Sequence, residues 1–460
     1  MRLYAAYRLC RMIPLAAGAA LLLLRPYWRL RRTGDRAGWY TALGQRLAQL
    51  CERCGPAAIK AAQIVASRSD LLPHELTCAL ARVQDRARPP SSRALRRALV
   101  AAYGPAPGWP FALVSSHPAA AGSVAAVVHA RLPDGEQVAI KLVRPGVTRQ
   151  VAADLVSLAW LLRILERSRR FAAVPLCETF ARLAPVIARQ CDMLEEGRAR
   201  DRLGASLAGG VIMPRIRADL TRPAALAMEW RPGACRLTDP QVPQADYEAG
   251  CKALLRSLYR MIFVNGFVHC DLHPGNLAWE PVGTVVLYDF GLVAELSRPE
   301  RKLLADLFVA IVERDANLAA AVILESATIK PAGLDRAALE ADAGRLLDRW
   351  AGKRAGEFLI AAFVIDLFEL QHRHGIRGTP GFVAAIWALA TFEGLVRERF
   401  PSLDFQAAAR PFLLSAMLNV WRARGAPQPQ RPQEPILGEP LHDGLAAGVG
   451  QSSDSVSDQP

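Results

Sequence analysis

Residues 269–276 read His-Cys-Asp-Leu-His-Pro-Gly-Asn, and an Asp-Phe-Gly triplet at 289–291 closes the strand-like run VVLYDFG. These are residue types that phosphoryl transfer uses. That reaction asks little covalent help of a protein; it asks that the nucleophile be placed and that Mg²⁺ be held against the phosphates. Asp271, in a tight loop, is set to orient or deprotonate an acceptor. Asn276, five positions on, and Asp289 supply the hard oxygens that Mg²⁺ prefers. Between them, LAWEPVGTVVLYD predicts a β-hairpin that carries both side chains to one end. His269, Asp271 and His273 also have the types and spacing of zinc ligands. The Pro-Gly-Asn that follows them and the later Asp-Phe-Gly weigh against that reading.

A site of this kind needs a cation on a neighbouring strand. Val138-Ala139-Ile140-Lys141 has the form of the strand lysine that meets the nucleotide phosphates in protein kinases. It ends a predicted hairpin, because SVAAVVHARL and EQVAIKLVRP flank a Pro133-Asp134-Gly135 turn. Upstream, PAAAGSVAAVVHA (118–130) stands where a phosphate-covering loop has several glycines, and Gly122 is its single one. Glycine lets backbone N–H groups approach phosphate without a Cβ in the way. A turn built from Ala120, Ala121, Gly122 and Ser123 is therefore expected to be stiffer and to hold nucleotide in a different pose.

The remaining chain reads as the frame for these parts. Residues 35–88 look helical with a break at Gly55-Pro56, and 89–110 are a Pro-rich joint followed by a short basic helix. Strand character runs over 111–143, helix over 147–204, and strand again in VIMPRIRADL and AALAMEW. Residues 244–264 predict a helix leading into the catalytic-type loop, and 297–424 a series of amphipathic helices. FLIAAFVIDLFEL (358–370) holds Asp366 and ends in charge, so it reads as a buried helix and not a membrane span. From about 425 Pro, Gln, Gly and Ser dominate, and that tail is expected to be disordered.

At 460 residues the chain can bury a large core in more than one lobe. Its net charge of +14 is almost all Arg, with six Lys among 57 basic residues. The Arg is spread along the chain without interleaved aromatics or a groove-reading motif, so nucleic acid is not the expected partner. An anionic membrane surface fits better. The nine Cys have no framework spacing and point to a reducing compartment; Cys51 and Cys54 read as packing residues of a helix. Residues 13–24, IPLAAGAALLLL, are continuously apolar between Arg2, Arg8 and Arg11 and Arg25, Arg29, Arg31 and Arg32. Twelve residues give about 18 Å of helix, short of the roughly 30 Å hydrocarbon core. With Tyr27 and Trp28 beside arginines, the segment predicts a peripheral or shallow membrane anchor; a buried helix of the fold is the alternative. The Arg- and Ala-rich composition points to a bacterial source, which would put the anchor on the cytoplasmic face of the inner membrane.

Over residues 40–405 or so, this motif set resembles the ABC1/UbiB family of atypical kinases. HCDLHPGN and DFG match that family without departure. GPAAIKAAQIVASRSDLLPHEL (55–76) is similar to its KxGQ helix through Lys60 and Gln63, and PAAAGSVAAVVHA to its Ala-rich loop. RQCDMLEEGRARDRL (189–203) aligns with the stretch holding the ExD motif and the glutamate that pairs with the strand lysine, which would be Glu196. Met228-Glu229-Trp230 is similar to the hinge.

The resemblance implies an α+β, atypical protein-kinase-like two-lobe fold: a small β-rich N-lobe and a large helical C-lobe, with an N-terminal helical extension. It divides the chain into an anchor segment (1–34), the extension with the KxxQ motif (35–110), an N-lobe with a helical insert (111–233), a C-lobe (234–424) and a tail (425–460). It also implies ATP or ADP with Mg²⁺ as cofactors and a membrane-associated ATPase supporting ubiquinone or related lipid metabolism. Quinone-biosynthesis enzymes or isoprenoid precursors would be its partners. Lys141 and Glu196 would orient phosphates; Lys60, Gln63, the 120–123 turn and Glu229 would contact nucleotide.

Three departures stand out. Ala62 replaces the glycine of KxGQ, Gln190 replaces the first acid of ExD, and Gly122 interrupts the Ala-rich loop. Asp192 is left to pair with Lys60 alone. A small-molecule kinase of aminoglycoside-phosphotransferase type and a non-catalytic nucleotide- or lipid-binding scaffold are the other readings open to these residues.

Overall fold

The computed structural model describes residues 2–54, 58, 75, 76, 79, 89–167, 176–281, 283–378 and 382–414. Lys60, Ala62, Gln63 and the expected tail after 425 lie outside them. The apolar run at 13–24 is the middle of one long helix, α1 (Arg2–Thr33). Gly34, at φ 69°, turns the chain into α2 (Arg36–Cys54). Asp35 starts α2 by accepting the Gly38 N–H at 2.8 Å, and Trp39 packs edge-on to Tyr27 at 5.9 Å, so α2 folds back on α1. No helix among the described residues is long and apolar enough to cross a membrane.

The short basic helix is α3 (Ser92–Tyr103), capped by the Ser91 hydroxyl on Ala94 N–H. Its Leu95 and Leu99 bury against Ala126, Val128 and Ile140 of the sheet that follows. That sheet comprises β1 (Leu113–Val114), β2 (Ala120–Ala121), β3 (Ala125–Arg131) and β4 (Gln137–Val143). It is completed, after three helices, by β6 (Ala225–Glu229) in the order β1-β3-β4-β6, with β2 on β3. The β3–β4 hairpin forms at the predicted turn, with Gly135 at φ 92° and Val127 opposite Lys141. β4 is buried on both faces, by α3 on one side and on the other by Met193, the first residue of α6 (Met193–Gly204), beside Val143; helices α4 (Val147–Glu166) and α5 (Leu176–Arg189) between them in the chain pack on each other around Val147 and Ile187.

VIMPRIRADL departs from its reading as an N-lobe strand. Only β5 (Val211–Ile212) forms, and it joins the C-lobe sheet in parallel pairing with Val285 and Val286. Pro214 has no N–H to continue a ladder, so the chain leaves that sheet and touches β6 through an isolated bridge, Ile216 to Met228. β7 (Cys235–Arg236) leads into α7 (Gln244–Tyr259), which widens at Arg260–Asn265 into a last turn bonded five residues back. The Gly266 N–H closes that turn on the Met261 carbonyl at 2.8 Å. Gly266 sits at φ 71°, and a Cβ there would fall 2.8 Å from the Leu296 carbonyl, so only glycine fits. β8 (Phe267–His269), β9 (Leu277–Glu280), β10 (Thr284–Leu287) and β11 (Val293–Glu295) follow, the predicted 277–287 hairpin among them. β11 pairs with β8, and the C-lobe sheet runs β5-β10-β9-β7.

Helices α8 (Arg298–Glu313), α9 (Ala316–Glu325), α10 (Arg336–Trp350), α11 (Ile360–Arg373) and α12 (Val383–Val396) build the rest of the C-lobe. Small strands β12 (Ala327–Ile329) and β13 (Arg377–Gly378) pair beside α11. Asp366, the charge in the middle of the apolar run of α11, takes the Trp350 indole N–H at 2.7 Å and Arg349 at 3.0 Å, as a helix packed against α10 requires. The fold is a two-lobed α+β structure with a helical N-terminal extension.

Glu393 of α12 receives the first orphan N–H of α11, from Ile360, at 2.8 Å. Burial pushes its carboxyl up to about 7, against the pull of that N–H and Arg397. A carboxyl whose folded pKa is raised binds a proton more tightly in the folded state, so stability falls as pH rises through the window from the ordinary carboxylate value to about 7. Glu393→Gln keeps an acceptor for Ile360 without the charge. Denaturant titrations should show the variant gaining on wild type by something on the order of 1–3 kcal/mol between pH 5 and 8. A difference that stays constant with pH would contradict this assignment.

Candidate functional site

Between the lobes the structure brings Lys141, Glu196 and Asp289 together, with Asp271 and Asn276 on the adjoining loop. Lys141, midway across the N-lobe sheet, reaches Glu196 Oε1 at 2.6 Å and Asp289 Oδ1 at 3.2 Å. Glu196 comes from the first turn of α6, whose start is capped by the Asp192 carboxylate on the Leu194 and Glu195 N–H groups. Asp192 Oδ1 thus serves as a helix cap, and the expected pairing of Asp192 with Lys60 falls outside the described residues. The Phe290 N–H also donates to Glu196 Oε1, at 3.2 Å, which ties α6 to the Asp-Phe-Gly segment.

Burial alone would lower the pKa of the Lys141 ammonium, but Asp289 and Glu196 outweigh it and hold the group above its usual range. Burial pushes the Glu196 carboxyl up, while Lys141 and the Phe290 N–H oppose it. With two donors converging on one oxygen, the carboxylate form is the one the geometry favours.

His269 organises the other half of the site. Its ring is fully buried. Nδ1 accepts the Asp271 N–H at 3.1 Å, so Nε2 carries the proton and donates to the Asp289 carbonyl at 2.6 Å. Burial keeps its pKa below the usual histidine value. Both nitrogens are thereby engaged, and no lone pair of His269 remains for zinc. Among the described residues no His, Cys, Asp and Glu cluster has metal-site geometry. His273 instead starts the turn Pro274–Asn276 by accepting the Gly275 N–H at 2.9 Å.

Asn276 donates its amide N–H to the Asp271 carbonyl at 3.0 Å, which directs the amide oxygen away from the loop. Asp289 Oδ1 also accepts the Gly291 N–H at 2.9 Å. Gln190, in place of the first acid of the ExD motif, stands against Gly291: a Cβ there would meet its Cγ at 3.7 Å. Asp271 and Asn276 are mostly buried, and Asp271 Oδ2 lies 3.8 Å from His273 Nε2.

The Ala-rich segment is an ordered hairpin and not an open loop. Ala120 and Ala121 pair with Val127 and Ala126, and the Gly122 N–H closes the turn on the Ala125 carbonyl at 2.8 Å. Ser123 completes that turn. At the hinge, the Glu229 carboxylate is committed to Arg231 at 2.8 Å and Arg215 at 3.5 Å. Arg231 holds Glu280 of β9 with two N–H donors, each at 2.6 Å, and so clamps the lobe connection to the C-lobe sheet. Sequence reasoning passed over this clamp and over His269 as a brace. No local pattern links Arg231 to a glutamate 49 residues away, and a histidine inside a catalytic-type loop reads as chemistry before it reads as scaffolding.

The ABC1 atypical kinase-like domain matches residues 82–323, a little over half of the chain. The chain belongs to that family. The ABC1 match runs from ahead of α3 into α9 and so takes in the whole cleft. Curated relatives extend the likeness beyond it. The probable protein kinase UbiB of Cellvibrio japonicus is 29% identical over 95% of this chain and 82% of its own length. Its namesake in Pseudomonas putida GB-1 is 30% identical over 86% of this chain and 74% of its own. Among solved structures, Rv3197 of Mycobacterium tuberculosis, determined with erythromycin, superimposes with a TM-score of 0.45 at 18% identity, over 76% of this chain and 93% of that one. Membership of the ABC1 family stands on the sequence matches and not on that superposition.

Proposed function

We propose that this ABC1 chain is a membrane-associated, Mg²⁺-dependent atypical kinase or ATPase that supports isoprenoid-quinone or related lipid metabolism. The observation that carries the catalytic part is the convergence of Lys141, Glu196 and Asp289 within 3.2 Å, with Asn276 and Asp271 on the adjoining loop. In this reading Lys141, oriented by Glu196, neutralises phosphate oxygens. The Asn276 amide oxygen and the Asp289 carboxylate are hard donors suited to Mg²⁺, whose charge would stabilise the transferring phosphoryl group. Asp271 orients water or an acceptor hydroxyl. The 120–123 turn covers phosphate through its backbone, and Glu229, its carboxylate already paired, contributes main chain to holding the base.

The membrane part is supported by α1. Leu21, Leu22, Leu24 and Trp28 are half or more exposed, beside the arginines at 25, 29, 31 and 32. The quinone-related role follows from the resemblance to the UbiB relatives.

Thermal unfolding with ATP or ADP, with and without Mg²⁺, tests the nucleotide reading directly, because a ligand that binds only the folded state raises its midpoint. The expected result is a rise that needs the metal. A folded protein whose midpoint does not move at saturating nucleotide would instead favour the scaffold reading.

A further inference from the structure

Helix α4 carries apolar residues on two faces. Inward, Val147, Val151 and Leu155 pack against Ile187, Cys191 and Val124. Outward, Val156, Trp160 and Ile164 recur every fourth residue and are 48%, 52% and 43% exposed. A helix on the surface of a soluble domain usually turns charge to that side. The charged residues beside this stripe are arginines: Arg163 and Arg167 are exposed, whereas Asp154 is buried and Glu166 half-buried. Helix α1 packs on α4, and Arg149 of α4 stacks over the Tyr4 ring of α1 at 4.2 Å. Two helices in contact thus both leave large apolar side chains uncovered among positive charge.

We propose that the outer face of α4 is a second lipid-contacting surface, lying at the headgroup boundary of an anionic bilayer together with α1. This rests on the membrane reading above and extends it from the N-terminal extension into the kinase-like domain itself. The composition of the patch selects the occupant. Tryptophan prefers the headgroup level, aliphatic side chains at helical spacing enter the acyl boundary, and arginines beside them are drawn to anionic lipid. The inner face of α4 meets Val124, next to Ser123 of the Ala-rich turn, and Cys191, next to the Asp192 cap of α6. Lipid contact on one side of α4 would therefore lie one helix thickness, about 10 Å, from two walls of the nucleotide cleft.

The test is vesicle flotation of the full chain with phosphatidylglycerol and with phosphatidylcholine vesicles. Wild type is compared with Trp160→Ser/Ile164→Ser, which removes apolar area without adding charge, and with Leu21→Ser/Trp28→Ser on α1. Because the α4 positions are exposed, the variant should fold, which an unchanged unfolding midpoint checks. The expected result is binding to the anionic vesicles that falls about tenfold or more in the α4 variant. Wild-type binding in the α4 variant, with loss in the α1 variant, overturns the α4 face and leaves the membrane reading intact. No binding by wild type overturns both. If the α4 substitutions instead convert a lipid-free dimer to a monomer in sedimentation, the face is an interface between copies and the lipid proposal is wrong.

Discussion

Replacing Lys141 with alanine should cost about 3–5 kcal/mol of folding stability at neutral pH, the range measured when one partner of a buried ion pair is removed. Glu196 is only 2% exposed and its second carboxylate oxygen has no hydrogen-bond partner among the described residues, so the lysine is its chief compensation there. Without it, the Phe290 N–H alone would face the charge, with Asp289 nearby to repel it. Glu196 would then take up a proton well above the usual carboxylate range. The deficit should therefore shrink as pH falls and the carboxyl neutralises, and grow as pH rises. Lys141→Met combined with Glu196→Leu, which removes both charges and keeps the volume, should recover most of the loss. Chemical denaturation of the three proteins across pH measures this. A Lys141→Ala variant as stable as wild type at pH 7 would mean that the buried pair is not coupled in the way the distances indicate.

Asp289→Asn should lower Mg²⁺-nucleotide hydrolysis by roughly a thousandfold or more, because catalysis of this kind is positioning and charge stabilisation with little else to fall back on. The substitution is nearly isosteric. The Asn oxygen can still accept the Gly291 N–H, and the main-chain carbonyl still meets His269. What disappears is the negative charge that faces Lys141 and would face the metal. The variant should keep a cooperative unfolding transition and lose the metal-dependent rise in midpoint. Hydrolysis at the wild-type rate in a folded variant would remove Asp289 from the mechanism. Loss of folding would be uninformative about chemistry, and Asp271→Asn, which sits on the loop and not in the Lys141 cluster, then carries the test.

What could be read from the chain was what is local. The 133–135 turn, the 277–287 hairpin and the buried helix around Asp366 each announce themselves within a dozen residues, because turn chemistry and apolar period act at that range. The short motifs were legible for the same reason: Asp271 and Asn276 must share one tight loop. The pairing of Lys141 with Glu196, 55 residues apart, came only through resemblance to a family. Nothing local indicated the Arg231–Glu280 clamp or the migration of Val211 and Ile212 to the other lobe's sheet. Each depends on which surfaces meet once the lobes close.

His269 ties the catalytic-type loop and the Asp-Phe-Gly segment into one mechanical piece, and this limits how the cleft can be entered. Phe290 is fully buried, and the carbonyl just before it is held by the imidazole while the N–H of Phe290 itself is held by Glu196. Swinging that ring out of its seat would break both hydrogen bonds and empty a packed position at once. Compounds aimed at this cleft should therefore act as competitors of the nucleotide. Those designed to lodge behind a displaced phenylalanine would meet a closed door.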